Sequence, residues 1–404
     1  MIKDVRSESP FWLMKSGYVV PHSSLTDNLK TDFLVIGGGI SGALVTQSLA
    51  SAGAGVVMID RRHFAMGSTA ASTALLQYDV DVPLHELIEK MGEKRAVRAY
   101  ELSLQALVDL IEKANNLPES VSFDTRLSIR FAEKKKDFKF LEKEYQARSV
   151  NNFDMELWDE SEVARHFPVS RPGALLTRPS AVADPYLLTH AVLHEALENG
   201  ARAFDKTFAR KIDRHKSGVT VDTGDHKISA KKLIIACGYE SVNYIRKRVG
   251  TLKSTYAIAS EPLGTERVWY ENASFWTTGD PYSYGRTTAD NRIIFGGYDE
   301  EFTDPGRRDS LVEAKSKTLA KAFAKMFPDI PLRIDYSWGG TFIETDDGLP
   351  YIGPYNALPH TYFALGFGGN GITFSQLAAD ILTDMLLGRK NKDADLFSFE
   401  RESA

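Results

Sequence analysis

Residues Asp32 to Asp60 read DFLVIGGGISGALVTQSLASAGAGVVMID, and this stretch constrains the fold more than any other. Gly37, Gly39 and Gly42 form a GxGxxG signature between an apolar strand, Phe33 to Ile36, and a helix. A second strand, Val56 to Ile59, ends in an acid. The three glycines act differently. Gly37 allows the tight turn, Gly39 lets the backbone approach a pyrophosphate, and Gly42 lets helix and strand pack closely. The helix start then offers unpaired N–H groups to phosphates. Asp60 stands near the spacing of about 20 residues at which an acid holds a ribose hydroxyl. The stretch predicts a dinucleotide site and leaves NAD and FAD both open.

With 404 residues the chain exceeds one ordinary core, so two domains are expected. A net charge of −5 gives no support to nucleic-acid or anionic-membrane binding. The single cysteine, Cys237, excludes an internal disulfide and any multi-cysteine metal site. The nine histidines show no HxxH or HExxH spacing, so no metal is expected. No stretch approaches the roughly 18 apolar residues of a membrane span. The first residues, MIKDVRSESPFWLM, do not read as a secretory signal. These readings point to a reducing, cytoplasmic setting.

Residues 1–30 read as an irregular arm whose Phe11 and Trp12 pack on the body. Helices are expected over 84–116, 134–144, 185–199 and 310–326, with Asn199-Gly200 as a C-terminal stop. Strands are expected at Leu127–Phe131, Arg210–Arg214, Gly218–Asp222 and Lys232–Ala236. The run Leu233, Ile234, Ile235 suits a strand buried on both faces of a parallel sheet. From 251 onward, Thr255–Ala259, Val268–Trp276, Arg292–Phe295 and Arg333–Ser337 suggest an antiparallel sheet.

Two further segments bear on the cofactor. Gly67 to Gln77, rich in small and hydroxyl side chains, reads either as a second dinucleotide contact or simply as a capped helix start. Near the end, strand Tyr362–Leu365, glycine loop Gly366–Gly371 and helix Thr373–Leu387 make a second glycine-rich strand-to-helix junction. A junction so far from the first suits FAD, whose ring lies far from its adenosine; a helix start there favours negative charge on the reduced ring. Cys237, at the end of a buried strand, reads as packing rather than as a nucleophile.

On these residues the chain resembles the FAD-dependent D-amino-acid oxidase superfamily, in the branch of glycine, sarcosine and γ-glutamylputrescine oxidases. The specific motifs are Trp338-Gly339-Gly340, Asp347 to Gly353 (DGLPYIG), and Gly368-Gly369-Asn370-Gly371-Ile372. The resemblance implies an α/β protein: a discontinuous Rossmann-like FAD-binding domain (31–83, 178–245, 338–404) with an inserted α+β substrate domain (84–177, 246–337) built on an antiparallel sheet. It implies contacts to FAD from Gly37, Gly39, Ile40, Ser41, Gly42, Asp60 and Arg61 at the ADP part. Gly67, Ser68, Thr69, Ser72, Thr73 and Leu75 would follow the pyrophosphate and ribityl chain. Ala209, Ala236 and Gly238 would approach the cofactor backbone; Gly340, Gly369, Asn370, Gly371, Ile372 and Thr373 would surround the ring.

The departures from the family carry the substrate information. Where carboxylate-binding relatives place an arginine after WGG, this chain has Phe342; Arg286 is then the best candidate for an anionic contact, with an inter-strand ion pair as its plainer reading. Leu75 stands where relatives with covalent flavin carry a histidine, so FAD is expected to be non-covalent. Ile294 stands at the oxygen-activating lysine of sarcosine oxidase, which leaves oxygen or an electron carrier open as acceptor. Leu75, Leu76 and Gln77 are expected near the reactive face, with Tyr256, Tyr282 and Tyr284 as walls. The resulting expectation is oxidation of a C–N bond in an amine or amino-acid-like substrate, by hydride transfer to flavin N5, giving an imine that hydrolyses. The alternatives are C–O oxidation of a hydroxyacid or polyol, and a flavin subunit needing a partner.

Overall fold

The computed structural model describes residues 5–17, 21–118, 120–264, 268–365 and 367–401. Gly366, the first residue of the expected glycine loop, lies outside them. Among the described residues, two sheets organise the chain.

The first sheet contains β1 (Leu29–Ile36), β2 (Val56–Ile59), β7 (Arg202–Phe204), β8 (Lys211–His215), β9 (Gly218–Asp222), β10 (Lys227–Ile235), β16 (Tyr351–Pro354) and β17 (Thr361–Leu365). Its order is β16-β17-β10-β1-β2-β7, with β9 on β10 and β8 on β9. From β17 to β7 the strands are parallel. Ile234 packs into the core on one face, and Leu233 and Ile235 into the core on the other. A strand covered on both faces has no polar side to display, which is why this run is continuously apolar. Helix α2 (Ile40–Ser51) lies between α7 (Pro185–Glu198) and α10 (Gly371–Leu386), and is therefore buried nearly all round. Asp184 caps α7 by accepting the N–H groups of Tyr186 and Leu187 at 3.0 Å, and Gly200 follows that helix with φ +89°.

The second sheet contains β3 (Leu75–Leu76), β4 (Asp124–Phe131), β5 (Met155–Asp159), β6 (Gly173–Val182), β11 (Thr251–Ser260), β12 (Ser274–Thr277), β13 (Ser283–Thr287), β14 (Ile293–Glu300) and β15 (Ile334–Glu344). Its order is β15-β11-β14-β13-β12-β4-β6-β3, with β5 on β6. The pairings are antiparallel except for β12 on β4, which is parallel. That one pairing joins the two sequence-distant parts of the sheet. Helices α6 (Glu160–His166) and α9 (Val312–Met326) pack on its aromatic core, with α8 (Pro305–Ser310) leading into α9. Helices α3 (Leu84–Met91) and α4 (Glu93–Asn116) share the core of α2 and α10, while α5 (Lys135–Ser149) lies against α3, β5 and β6. Strands β6 and β15 run through the boundaries expected at 177/178 and 337/338, because sheet pairing holds each as one piece.

Several local expectations change. The strand expected over Val268–Trp276 exists only from Ser274; Tyr270–Asn272 is a 3₁₀ turn, closed by the Asn272 side chain accepting the Val268 N–H at 2.9 Å. The helix expected over 310–326 is α9, with the short α8 before it, whereas the helical span 84–116 is two helices, α3 and α4, broken at Gly92 with φ +81°. Gly67–Gln77 does not start a long helix: one 3₁₀ turn, Ser68–Ala71, leads into extended β3. The Ser72 hydroxyl accepts the Ala74 N–H, and Ala74 has φ +50°, which turns the chain out of helix.

The arm is more ordered than expected. Arg6 pairs with Gly340 on the edge of β15, and Phe11–Ser16 form helix α1. Phe11 and Trp12 are buried against Trp338, as expected of them. The indole N–H groups of Trp12 and Trp338 donate to the consecutive carbonyls of Ser72 and Ala71, at 2.7 and 2.9 Å. Trp12→Ala is expected to cost about 3–5 kcal/mol, the range for emptying a buried tryptophan site. A shift in the denaturation midpoint measures it, and a cost below about 1 kcal/mol would show the arm to be a passive cover.

Candidate functional site

The two sheets meet along a cavity of about 1130 Å³. At one end it is floored by the β1–α2 turn. Gly37 has φ +116°, and a Cβ there would lie 2.3 Å from the Ala236 carbonyl. A Cβ on Gly42 would lie 1.7 Å from the Gly37 carbonyl, so Gly42 serves the packing beneath the cavity rather than its lining. Gly39 caps α2 without any side-chain cap, and the Ile40 N–H is held by the Thr69 hydroxyl at 3.1 Å. An uncapped helix start behind a glycine turn is a ready anion cradle. Asp60 accepts the N–H groups of Gly38 and Arg62, both at 2.7 Å; burial nevertheless raises its carboxyl above the usual range. Arg61 and Arg62 both pair with Glu240. Thr207, Phe208 and Ala209 complete this end.

The middle is lined by Gly67, Ser68, Thr69, Ser72, Thr73 and Leu75. Ala236, Cys237 and Gly238 line it from the end of β10. Cys237 donates to the Ile36 carbonyl at 3.2 Å, and burial, with the negative charges of Asp60 and Glu240, pushes its thiol well up. A thiol so held is a poor nucleophile.

At the other end stand Gln77, Asp81, Arg130, Trp276, Tyr282 and Tyr284, with Gly340 and Phe342 of β15 and Gly369, Gly371 and Ile372 at the start of α10. Arg130 and Trp276 are register partners across the parallel β4–β12 pair. The guanidinium carbon sits 4.1 Å from the Trp276 ring centre and 5.0 Å from that of Phe140. Arg130 makes no ion pair among the described residues, its Nε has no hydrogen-bond partner, and burial lowers its pKa. Glu344, also lining this end, is paired with Lys253 at 2.6 Å. Tyr282 donates to Asp299 at 2.7 Å, and burial holds both Tyr282 and Tyr284 neutral far above the ordinary tyrosine range.

Most of the residues nominated from sequence therefore line one cavity: Gly37, Gly39, Ile40, Ser41, Asp60, Arg61, Gly67, Ser68, Thr69, Ser72, Thr73, Leu75, Gln77, Ala209, Ala236, Gly238, Gly340, Phe342, Gly369, Gly371 and Ile372. Five do not. Besides Gly42, Asn370 turns its amide to the Asp79 carbonyl, and Thr373 donates to the Gln77 carbonyl at 3.1 Å. Tyr256 faces the aromatic core under α9, while its neighbour Thr255 faces the cavity; successive strand residues point to opposite faces. Arg286 is on the same face as Tyr284 but farther along β13. There it is sealed beneath Trp12, 5.0 Å from that ring, and donates to the Ala183 carbonyl at 2.7 Å. Burial lowers its pKa to about 9. Arg286 therefore cannot meet a ligand in the cavity.

Arg130, Trp276 and Asp81 were missed. The signal for Arg130 was an arginine alternating with apolar residues in Leu127-Ser-Ile-Arg-Phe131, a pattern shared with any edge strand.

No helix among the described residues is long and apolar enough to cross a membrane. Known proteins agree with the geometry. A family model described as FAD dependent oxidoreductase (DAO) matches residues 32–385. The γ-glutamylputrescine oxidoreductase of Escherichia coli is 25% identical over 411 residues, covering 96% of this chain and 90% of its own. The glycine oxidase of Bacillus licheniformis is 25% identical over 388 residues, covering 92% and 98%. The crystal structure of glycine oxidase from Geobacillus kaustophilus superposes with a TM-score of 0.75 at 18% identity, covering 93% of this chain and 100% of that one. The glycine turn at the start of α2, the continuous cavity and a match across most of the chain lead to one conclusion: this protein belongs to the DAO family of FAD-dependent oxidoreductases.

Proposed function

We propose that the chain oxidises the C–N bond of a small amine that also carries an anionic group. The observation behind this reading is the Arg130 guanidinium, without an ion pair among the described residues, at the end of the cavity away from the α2 start. A cation held between two rings, lacking a carboxylate, suits a ligand carboxylate or similar anion. The names of the relatives, an amine and an amino-acid oxidase, support the amine.

In this reading FAD lies along the cavity, with its ADP part on Gly37 to Ser41 and Asp60 and its ring beside Gly340 and Gly369 to Ile372. The division of labour follows the sheets: the first carries the cofactor, the second the substrate. When bound, FAD supplies the two-electron acceptor for a hydride from the substrate carbon. The protein positions that carbon and keeps water out. Leu75, Trp276, Tyr282, Tyr284 and Phe342 would form the walls, with Arg130 fixing one end of the substrate. Leu75 cannot form a bond to flavin and the Cys237 thiol is tied to the Ile36 carbonyl and held protonated, so the cofactor is expected in the supernatant after acid precipitation. Yellow colour retained in the pellet would contradict this.

The test is anaerobic flavin bleaching by a panel of amines with and without a carboxylate, beside hydroxyacids. Anionic amines should bleach it, and Arg130→Gln should raise their KM about tenfold to a hundredfold, the worth of a charge-assisted hydrogen bond of roughly 1.5–3 kcal/mol. Bleaching by hydroxyacids alone would replace the reading with C–O oxidation.

A further inference from the structure

We propose that the Asp81 carboxylate receives the substrate's ammonium group and takes up its proton, so that the amine is neutral when its carbon is oxidised. The inference rests on the amine reading above and names the group that prepares the substrate.

Asp81 lies between β3 and α3 and opens onto the cavity at the Arg130 end. Its Oδ2 accepts the Gly369 N–H at 2.9 Å, and its Oδ1 lies 3.4 Å from the Asn370 amide nitrogen. The carboxyl fills the space where side chains on the glycine loop would otherwise stand: a Cβ on Gly368 would lie 2.1 Å from Oδ2, and one on Gly369 2.9 Å from Oδ1. Part of what makes this loop glycine-rich is therefore the acid beside it.

The neighbouring charges define its role. Glu344, the other acid lining this end, already has Lys253. Asp81 has no cation within ion-pair distance among the described residues, and neither does Arg130 have an acid. Two opposite charges thus share one end of the cavity without neutralising each other, an arrangement that a ligand bearing both signs completes.

Although Asp81 is open to the cavity, the protein packed around it desolvates the carboxyl and raises it to about 6, with Glu344 adding to the rise and the Gly369 N–H, Arg130 and Lys253 opposing it. Tyr239 and Tyr282 face the same carboxylate and stay neutral. At neutral pH the acid is ionised and able to accept a proton. One N–H bond of the ammonium breaks and one O–H bond forms on Asp81; no electrons are exchanged. Excluding water favours this neutral pair over two charges, since separated charges lose most on desolvation.

The decisive variant is Asp81→Asn, which keeps an acceptor for the Gly369 N–H and removes only the charge and basicity. In the wild type, anaerobic flavin reduction by a bleaching amine should fall tenfold per pH unit below about 6. In the variant that limb should vanish and the rate at neutral pH should drop by roughly 10²–10⁴, the span of general-base catalysis. A tert-alkyl amine, which has no α-hydrogen to lose, should perturb the flavin spectrum at least tenfold more weakly in the variant. An unchanged limb with unchanged tert-alkyl amine affinity would overturn the proposal and leave Asp81 as a support for Gly369. Loss of flavin from the variant would do the same. Failure of every amine to bleach the wild type would instead overturn the amine reading, and this inference with it.

Discussion

Gly42→Val is expected to yield no folded flavoprotein, whereas Gly39→Val yields a folded, colourless one. The two glycines belong to the same signature but act on different links of the chain. A Cβ on Gly42 would lie 1.7 Å from the Gly37 carbonyl, a backbone atom that cannot move without displacing the turn from Ala236. The clash exceeds ordinary overpacking, which costs about 1–3 kcal/mol. A Cβ on Gly39 would meet only the Thr69 hydroxyl at 2.9 Å, the end of a side chain. The fold should accommodate that contact, but the added methyls project into the phosphate cradle at the α2 start. Circular dichroism, soluble yield and flavin absorbance separate the cases. Soluble, yellow Gly42→Val, or yellow Gly39→Val, would refute the placement.

Arg148→Met is expected to destabilise the protein by about 3–5 kcal/mol, the cost of removing one partner from a buried ionic group. Arg148 is fully buried; it reaches Asp79 at 2.5 Å and Glu144 at 2.6 Å, and lies against the rings of Tyr78 and Tyr100. Burial alone would raise Glu144. Arg148, the His85 ring and the N–H groups of Leu84 and His85 outweigh it and hold that carboxyl well below its usual range. A depressed acid contributes stability that is full above its unfolded pKa and is lost as pH falls through the folded one. The wild type should therefore lose stability in acid more steeply than the variant. The network also reaches the glycine loop beside the cavity: Thr177 donates to Asp79 at 3.1 Å, and the Asp79 carbonyl accepts the amide of Asn370, between the cavity-lining Gly369 and Gly371. Loosening it should weaken flavin retention as well as raise the unfolded fraction. Denaturant titration measures the first effect and flavin release the second; a midpoint within about 0.5 kcal/mol of wild type, the usual scatter of neutral substitutions, would show that the group relaxes with its charge removed.

The expectations that survived were those whose physical cause is local. Gly37 and Gly42 sit where backbone crowding excludes a side chain, and the run Leu233 to Ile235 reflects a strand covered on both faces. These demands are written into a few consecutive residues, so the dinucleotide signature, the second glycine junction at Gly368–Gly371 and the family could be read directly. The failures share one cause, which is long-range pairing. Tyr256 was named and Thr255 was not because nothing in an isolated strand says which face meets the cavity. Arg286 was named and Arg130 was not because composition cannot show that Trp12 of the arm seals the first. Nor can it show that β4 lies parallel to β12, bringing Trp276 beside the second. Asp81 went unnoticed because its surroundings come from Gly368 and Gly369, far along the chain. Sequence alone gave the cofactor class and pointed to a cradle for it, since two glycine-rich strand-to-helix junctions are each written into a few consecutive residues. The charges that face a substrate were decided only by the tertiary structure, because strand register and the packing of the arm choose which side chains reach the cavity.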